Sequence, residues 1–382
     1  MIPYSNLFFF YILVPLLIPV VILGIMGKPI KKYGMVINLI FLIILFGDSK
    51  IQTLSLILFY LGELALVKGY LYLRPKYQSR WLLRVAVLFS FVPLILVKIS
   101  IVFPVKQIGF LGISYITFKC VQMLIEIYDG LIKKVNIFDF TYFLLFFPTI
   151  SSGPIDRSRR FIEEINTVPD RKKYLDYLGE GIWKVFMGVG YKFVISALIS
   201  SYWMGKIPQG TYSFLSIINY MYAYSMYLFF DFAGYSLIAV GTSYILGVKT
   251  PNNFDKPFLS KDIKEFWNRW HMSLSFWFRD FIYTRFVMIA LKKKWFKSRF
   301  TASYIGFLIT MSLMGMWHGT EIHYIIYGFY HGALIVLTDY FQRKSKWYKK
   351  IKNKPLWKAI SIGITFQFVC FGFLIFSGYL FK

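Results

Sequence analysis

This 382-residue chain is poor in cysteine and, against its 44 lysines and arginines, in acidic side chains: two of the former, eighteen of the latter. Cys120 and Cys370 stand far apart in apolar runs. That rules out a disulfide framework and a metal-type cysteine cluster, and both are expected to be small buried packing residues. There are only four histidines, and they lack the i, i+4 pairing on one helix, with nearby carboxylates, that holds a metal ion. No Walker loop, dinucleotide glycine fingerprint or GxSxG elbow occurs, which removes the commonest signatures of nucleotide and serine-ester chemistry. Nor is there a repeat of about 20–50 residues, or the inverted repeat of many transporters.

What the chain has instead is apolar length. It is 57% hydrophobic and 21% aromatic, with a mean hydropathy of +0.56. Residues 7–26 (LFFFYILVPLLIPVVILGIM) are apolar throughout, enough to cross a bilayer, where about 20 helical residues are needed. No basic region precedes that run and no small-residue cleavage site follows it, so an uncleaved first span is expected. Further runs lie at 34–47, 51–68, 85–103, 107–128, 182–203, 212–247 (interrupted at Asp231 and Gly234), 301–317, 324–341 and 357–380. They are too long and too uniformly apolar for barrel strands. In lipid the remaining way to satisfy the backbone is the helix. The expected architecture is therefore an all-α polytopic membrane protein of about ten crossings, one integral-membrane domain over 1–382. The run 138–150 is too short to cross and has basic loops on both sides. It predicts a re-entrant or surface helix, broken at Gly153–Pro154.

The scarcity of acids leaves a net charge of +26. The lysines and arginines sit in short loops between the runs, the pattern of positive-inside orientation and of contact with anionic membrane lipids. Nucleic-acid binding is not expected. Polar residues also crowd one stretch, EFWNRWHMSLSFWFRD (265–280), among large aromatics. Such density near lipid is costly unless the groups touch water, a partner or a substrate.

All four histidines fall in the last third of the chain, and histidine exchanges protons near neutrality. His318 in GMWHGT has glycines on either side, which let a ligand or another backbone approach closely. It reads equally as a packed core residue or a functional one, and His271 beside Trp270 equally as an interfacial anchor or a catalytic group. His323 is expected to be a solvated loop residue, and His331 to make a structural hydrogen bond to a neighbouring helix. Asp231, in YLFFDFAGYS, would cost about 2.5–3.5 kcal/mol if left charged in lipid. It should face the interior and pair, with Arg269 or Arg279 as candidates.

Several stretches, in order, resemble the membrane-bound O-acyltransferases: LGISYITFKCVQMLIEIYDG (111–130), YFLLFFPTISSGPIDR (142–157), the long segment 227–283 containing PNNFDKPF and EFWNRWHMS, and MGMWHG (314–319) followed by YGFYHG (327–332). They cover about residues 105–340. The resemblance implies a ring of about ten to eleven helices around a funnel or tunnel, with re-entrant and interfacial helices. It implies that His318 is the principal catalytic histidine and His271 the second. Asn268, Trp317, Asp231 and Arg269 would line or brace the reaction chamber, with Asn268 or Trp317 as hydrogen-bond donors to an oxyanion.

After RDFIY the chain continues as TRFVMIALKKKWFKS, compact and basic. This is similar to the branch of the family that serves teichoic acid D-alanylation, and unlike the longer alginate-type branch. It implies a multi-pass protein of the bacterial plasma membrane with no permanently bound cofactor. Its acyl donor would be D-alanine thioesterified to the phosphopantetheine arm of a small acidic carrier protein on the cytoplasmic side. An extracytoplasmic acyl-transfer partner and teichoic acid would receive the acyl group. Val287, Met288, Leu291 and Lys292 would form the carrier-docking patch, although an amphipathic helix resting on lipid has the same pattern. The alternatives are an acetyl-CoA-dependent polysaccharide O-acetyltransferase and a non-catalytic flippase of an acylated intermediate.

Overall fold

A computed structural model describes residues 3–102, 109–207 and 213–381; the link between the expected runs 85–103 and 107–128 falls outside them. The described residues are helical, with no strand among them. Among the described residues, seven helices are long and apolar enough to cross a membrane: Phe8–Ile25, Lys50–Leu73, Arg80–Ser100, Arg171–Lys206, Phe214–Ile245, Arg299–His318 and Pro355–Phe376. They account for seven of the ten expected crossings. The other three apolar runs are also helices. Lys31–Phe46 and Ile113–Tyr128 have 16 residues each, which at ~1.5 Å per residue reach about 24 Å, short of the ~30 Å hydrocarbon core. Ile322–Lys344 has 23 residues but carries His323, His331, Asp339, Arg343 and Lys344. The Phe214–Ile245 helix runs unbroken through Asp231 and Gly234, so the interruption seen in composition is not one of backbone.

The chain packs as two compact units, Met1–Val189 with Tyr235–Pro251, and Gly190–Gly234 with Asn252–Lys382. In the first, Ile113–Tyr128 is the central helix and is buried along nearly its whole length. Its polar residues, together with Asn38 of the Lys31–Phe46 helix, support the segment expected to be re-entrant. That segment is a short helix, Ile137–Leu144, then a 3-10 turn, Phe147–Thr149. The helix therefore ends well before Gly153–Pro154. Buried Lys119 donates from Nζ to the Phe143 carbonyl at 3.0 Å, Asn38 Oδ1 accepts from the Phe147 N–H at 2.6 Å, and Gln122 Nε2 donates to the Asp156 carbonyl at 2.9 Å. Irregular backbone is tolerated at membrane depth when protein groups replace the missing partners in this way. Gly112 sits close by at φ +90, where an added Cβ would stand 2.9 Å from the Ile150 carbonyl carbon.

The second unit is organised on a tight helical hairpin. Arg299–His318 and Ile322–Lys344 are joined by only Gly319, Thr320 and Glu321. They cross at Gly315 and Gly328: a Cβ on Gly315 would lie 3.0 Å from the Gly328 Cα. Small residues permit such close backbone approach between helices. The glycine before His318 thus makes room for a neighbouring backbone, and the imidazole ends its helix at the turn.

Candidate active site

His271 lies between two short helices, Ile263–Trp267 and Met272–Phe278. It is 3% exposed and adopts a left-handed backbone, φ 43° and ψ 51°. A residue with a Cβ is uncommon there and needs surrounding structure to hold it. That structure comes from the loop at 252–255. Asn253 Oδ1 accepts from Ser273 Oγ at 2.6 Å and from the Ser273 N–H at 3.3 Å. The Asn253 carbonyl accepts from the Met272 N–H at 2.9 Å, and the Asp255 N–H donates to the Arg269 carbonyl at 3.0 Å. The loop therefore grips the turn on both sides of the histidine.

Aromatic rings connect the two histidines. The Trp317 ring centroid is 6.5 Å from that of His271 and 4.6 Å from that of His318. Phe232 meets His271 edge-on at 4.8 Å, and Phe376 meets His318 edge-on at 4.9 Å. The imidazoles also sense each other electrically. Burial, and after it the charge of His318, pull the His271 pKa down to about 3, so His271 is neutral at working pH.

The segments that carry this pair also line a cavity of about 280 Å³, although neither imidazole is part of its wall. Asn268, three residues before His271, and Met314, one turn before His318, both line it, with Trp267, Phe276, Lys264 and Arg279. Part of its wall is Arg279–Tyr283, a π-helical segment. Such segments recur at functional sites because they re-aim side chains within a helix. The cavity is mostly apolar with a few cationic and amide groups, a lining suited to an organic substrate.

A family model for "MBOAT, membrane-bound O-acyltransferase family" matches residues 49–381. The chain belongs to the membrane-bound O-acyltransferase family. Among curated relatives, a protein of Bacillus subtilis (strain 168) named "Teichoic acid D-alanyltransferase" is 47% identical over 388 residues, 99% of this chain and 98% of its own length. One of the same name from Streptococcus thermophilus is 40% identical over 99% of this chain and 95% of its own length. A "Probable alginate O-acetylase AlgI" of Pseudomonas syringae pv. tomato is 31% identical, over 70% of this chain and 48% of its own length.

Within this O-acyltransferase, the structure brings together His271, Trp317 and His318, with Asn268 at the adjoining cavity. The other expected residues are placed differently. Asp231 pairs with Lys192, whose Nζ is 2.6 Å away. Arg269 holds Glu265 at 2.7 Å, and Arg279 holds Asp280 at 3.0 Å, so neither is the aspartate's partner. Arg269 also donates to the Asp255 carbonyl at 3.3 Å and so braces the gripping loop. His323 is 7% exposed, 3.3 Å from the Glu321 carboxylate and tilted against the Tyr324 ring, not a solvated loop residue. His331 is fully buried among Phe266, Trp267, Tyr327 and Tyr330. Neither of its nitrogens has a hydrogen-bond partner among the described residues, so the expected helix–helix hydrogen bond is replaced by ring packing.

On the Thr284–Lys292 helix, Met288, Leu291 and Lys292 are exposed, as are Lys293 and Lys294 just past its end. Val287 instead turns toward the neighbouring helix: a Cβ on Gly306 would come 3.1 Å from its Cγ2. Sequence reading missed Asn253 and Phe232. Asn253 stood in plain view in PNNFDKPF, but an asparagine in a loop gives no sign of which turn it will hold.

Proposed function

We propose that this membrane O-acyltransferase is a teichoic acid D-alanyltransferase in which His318 is the general base, and that it takes its acyl group from a carrier-bound thioester. The observation that carries the site assignment is the imidazole–indole–imidazole row, His271, Trp317 and His318, beside a cavity large enough for a narrow chain. Relatives named for D-alanyl transfer match nearly the whole chain, whereas the alginate-type relative matches about two thirds of it.

In this reading the phosphopantetheine arm enters the 280 Å³ cavity past Lys264 and Arg279. The acceptor hydroxyl attacks the thioester carbonyl while His318 takes its proton, help worth ~10²–10⁴-fold. The tetrahedral intermediate collapses with cleavage of the C–S bond. The thiolate leaves and recovers the proton from His318, so the base is returned unchanged. His271, neutral and held rigidly, orients the reacting groups or donates to the oxyanion together with Asn268. No nucleophilic serine or cysteine is needed, and the acyl group passes directly. The acidic carrier rests on Met288 and Leu291 and is steered by Lys292–Lys294, since complementary charge chiefly raises the rate of encounter.

The test is purified protein with an acyl-carrier thioester, read by thiol release. His318→Ala should lower turnover by at least ~10²-fold while the protein stays folded, and acetyl-CoA should not replace the carrier. Near-normal turnover in the variant would refute the base assignment, and equal use of acetyl-CoA would refute the donor. Met288→Asp should raise KM for the carrier about tenfold with kcat unchanged, the mark of lost uniform binding. An unaltered KM returns that patch to contact with lipid.

A further inference from the structure

A second, larger cavity lies apart from the histidines. It has a volume of about 450 Å³ and runs between the Ile322–Lys344 and Pro355–Phe376 helices. Leu334, Thr338 and Phe341 form one wall; Trp357, Ile364 and Phe368 form the other. On each helix these residues recur every three to seven positions, so each wall is a single helical face. The two helices leave a slot between them that is apolar along most of its length and far too large for a few waters.

One end of the slot is strongly basic. From Arg343 to Lys358 the chain has Arg343, Lys344, Lys346, Lys349, Lys350, Lys352, Lys354 and Lys358, and no acidic residue. Arg343 is taken up by Asp339 at 2.9 Å. The seven lysines are exposed, and none is in an ion pair among the described residues. At the same end Trp347 and Phe341 are exposed, and Trp347 packs edge-on against Trp357 with centroids 5.0 Å apart. Tryptophans in this setting mark the headgroup level of a membrane. The Trp357 Nε1 is buried without a hydrogen-bond partner among the described residues. From there the walls lead away from the lysines, from Phe341 to Leu334 and from Trp357 to Phe368, into the apolar part of both helices.

We propose that this slot binds one anionic phospholipid, its acyl chain between the two helices and its phosphate among the lysines of the Lys346–Ile351 segment. Uncompensated lysines at headgroup level select for negative charge, and the apolar walls select for a hydrocarbon chain. The polar floor ties the slot to the catalytic unit. Gln342 Nε2 donates to Asp262 Oδ2 at 3.0 Å, and Asp262 Oδ1 caps the Ile263–Trp267 helix through the N–H groups of Lys264 and Glu265. That helix leads into the turn carrying His271.

The experiment is native mass spectrometry of the full chain in detergent, after exchange with phosphatidylglycerol or phosphatidylcholine. The wild type should retain one phosphatidylglycerol, and at least about tenfold less phosphatidylcholine. Thr338→Trp, which fills the slot, should lose the retained lipid. Lys349→Gln/Lys350→Gln/Lys352→Gln, confined to exposed positions, should keep a lipid but no longer prefer the anionic one. Equal retention of the two lipids by the wild type, unchanged preference in the lysine variant, or recovery of a polypeptide in place of lipid would each overturn the proposal. Should Thr338→Trp fail to fold, the lysine variant decides alone.

Discussion

Two histidines in the second unit are almost equally hidden, yet their surroundings differ in kind. His331 is 0% exposed and His271 is 3% exposed, and aromatic rings surround both. His331 sits in regular helix, and the position opposite, Gly372, has no room for a Cβ because that atom would meet the His331 ring. His271 sits in a left-handed turn held by a buried asparagine, three residues from a cavity-lining amide, and within electrical reach of a second imidazole. Burial therefore does not separate the histidine proposed to act in transfer from the packing one. Irregular backbone, fixed at a cost and three residues from a cavity-lining amide, does.

The comparison can be broken most directly by exchanging each ring for an apolar or small group. His271→Ala should lower turnover about 10²–10³-fold, the range for losing one preorganised oxyanion or orienting group, with little change in thermal stability. His331→Leu should leave turnover within about threefold and hold or raise stability, because an unpartnered buried polar group is removed along with its desolvation cost of about 1–3 kcal/mol. Thiol-release kinetics and thermal unfolding on both variants would reverse the argument if His331→Leu were the inactive one. Between these extremes lies Asn253→Ala. It leaves the imidazole in place but removes the acceptor that fixes its turn, so kcat should fall about tenfold, the equivalent of ~1.4 kcal/mol of lost positioning. A loss of stability with kcat unchanged would make Asn253 a structural residue only.

How much of this could be read from the sequence follows from what is local and what is not. Hydropathy is local, so the apolar runs marked all the long helices. Length is local as well, yet three runs that read as crossings form helices too short or too polar to qualify by composition. The motif residues His271, Trp317 and His318 were legible through family resemblance, and the fold places them in one row. Pairing is not local. Asp231 takes Lys192 from a π-helical segment 39 residues earlier instead of the arginines that follow it. Likewise the end of the 137–144 helix is set by Lys119 reaching its carbonyls from another helix, and not by the nearest Gly–Pro pair. Val287 looked like part of an exposed patch because its neighbours are exposed, but Gly306 on the next helix leaves a gap that its side chain fills.

The finest distinction between the two histidine environments is drawn by acid. The folded-state pKa of His271 is about 3, against about 6.5 for an unperturbed imidazole. A depressed folded pKa means that the unfolded chain binds the proton first as the pH falls. The stability owed to neutral His271 is thus complete above about pH 6.5 and drains away toward pH 3, at about 1.4 kcal/mol per pH unit. His271→Gln has no proton to gain, so its unfolding temperature should fall less steeply from pH 7 to pH 4 than that of the wild type, while the carboxylates common to both contribute equally. Parallel slopes would mean that the ring takes up its proton without unfolding, and is therefore not sealed in the turn as the geometry requires. The same depression removes His271 as the source of any rise in turnover between pH 5 and 8.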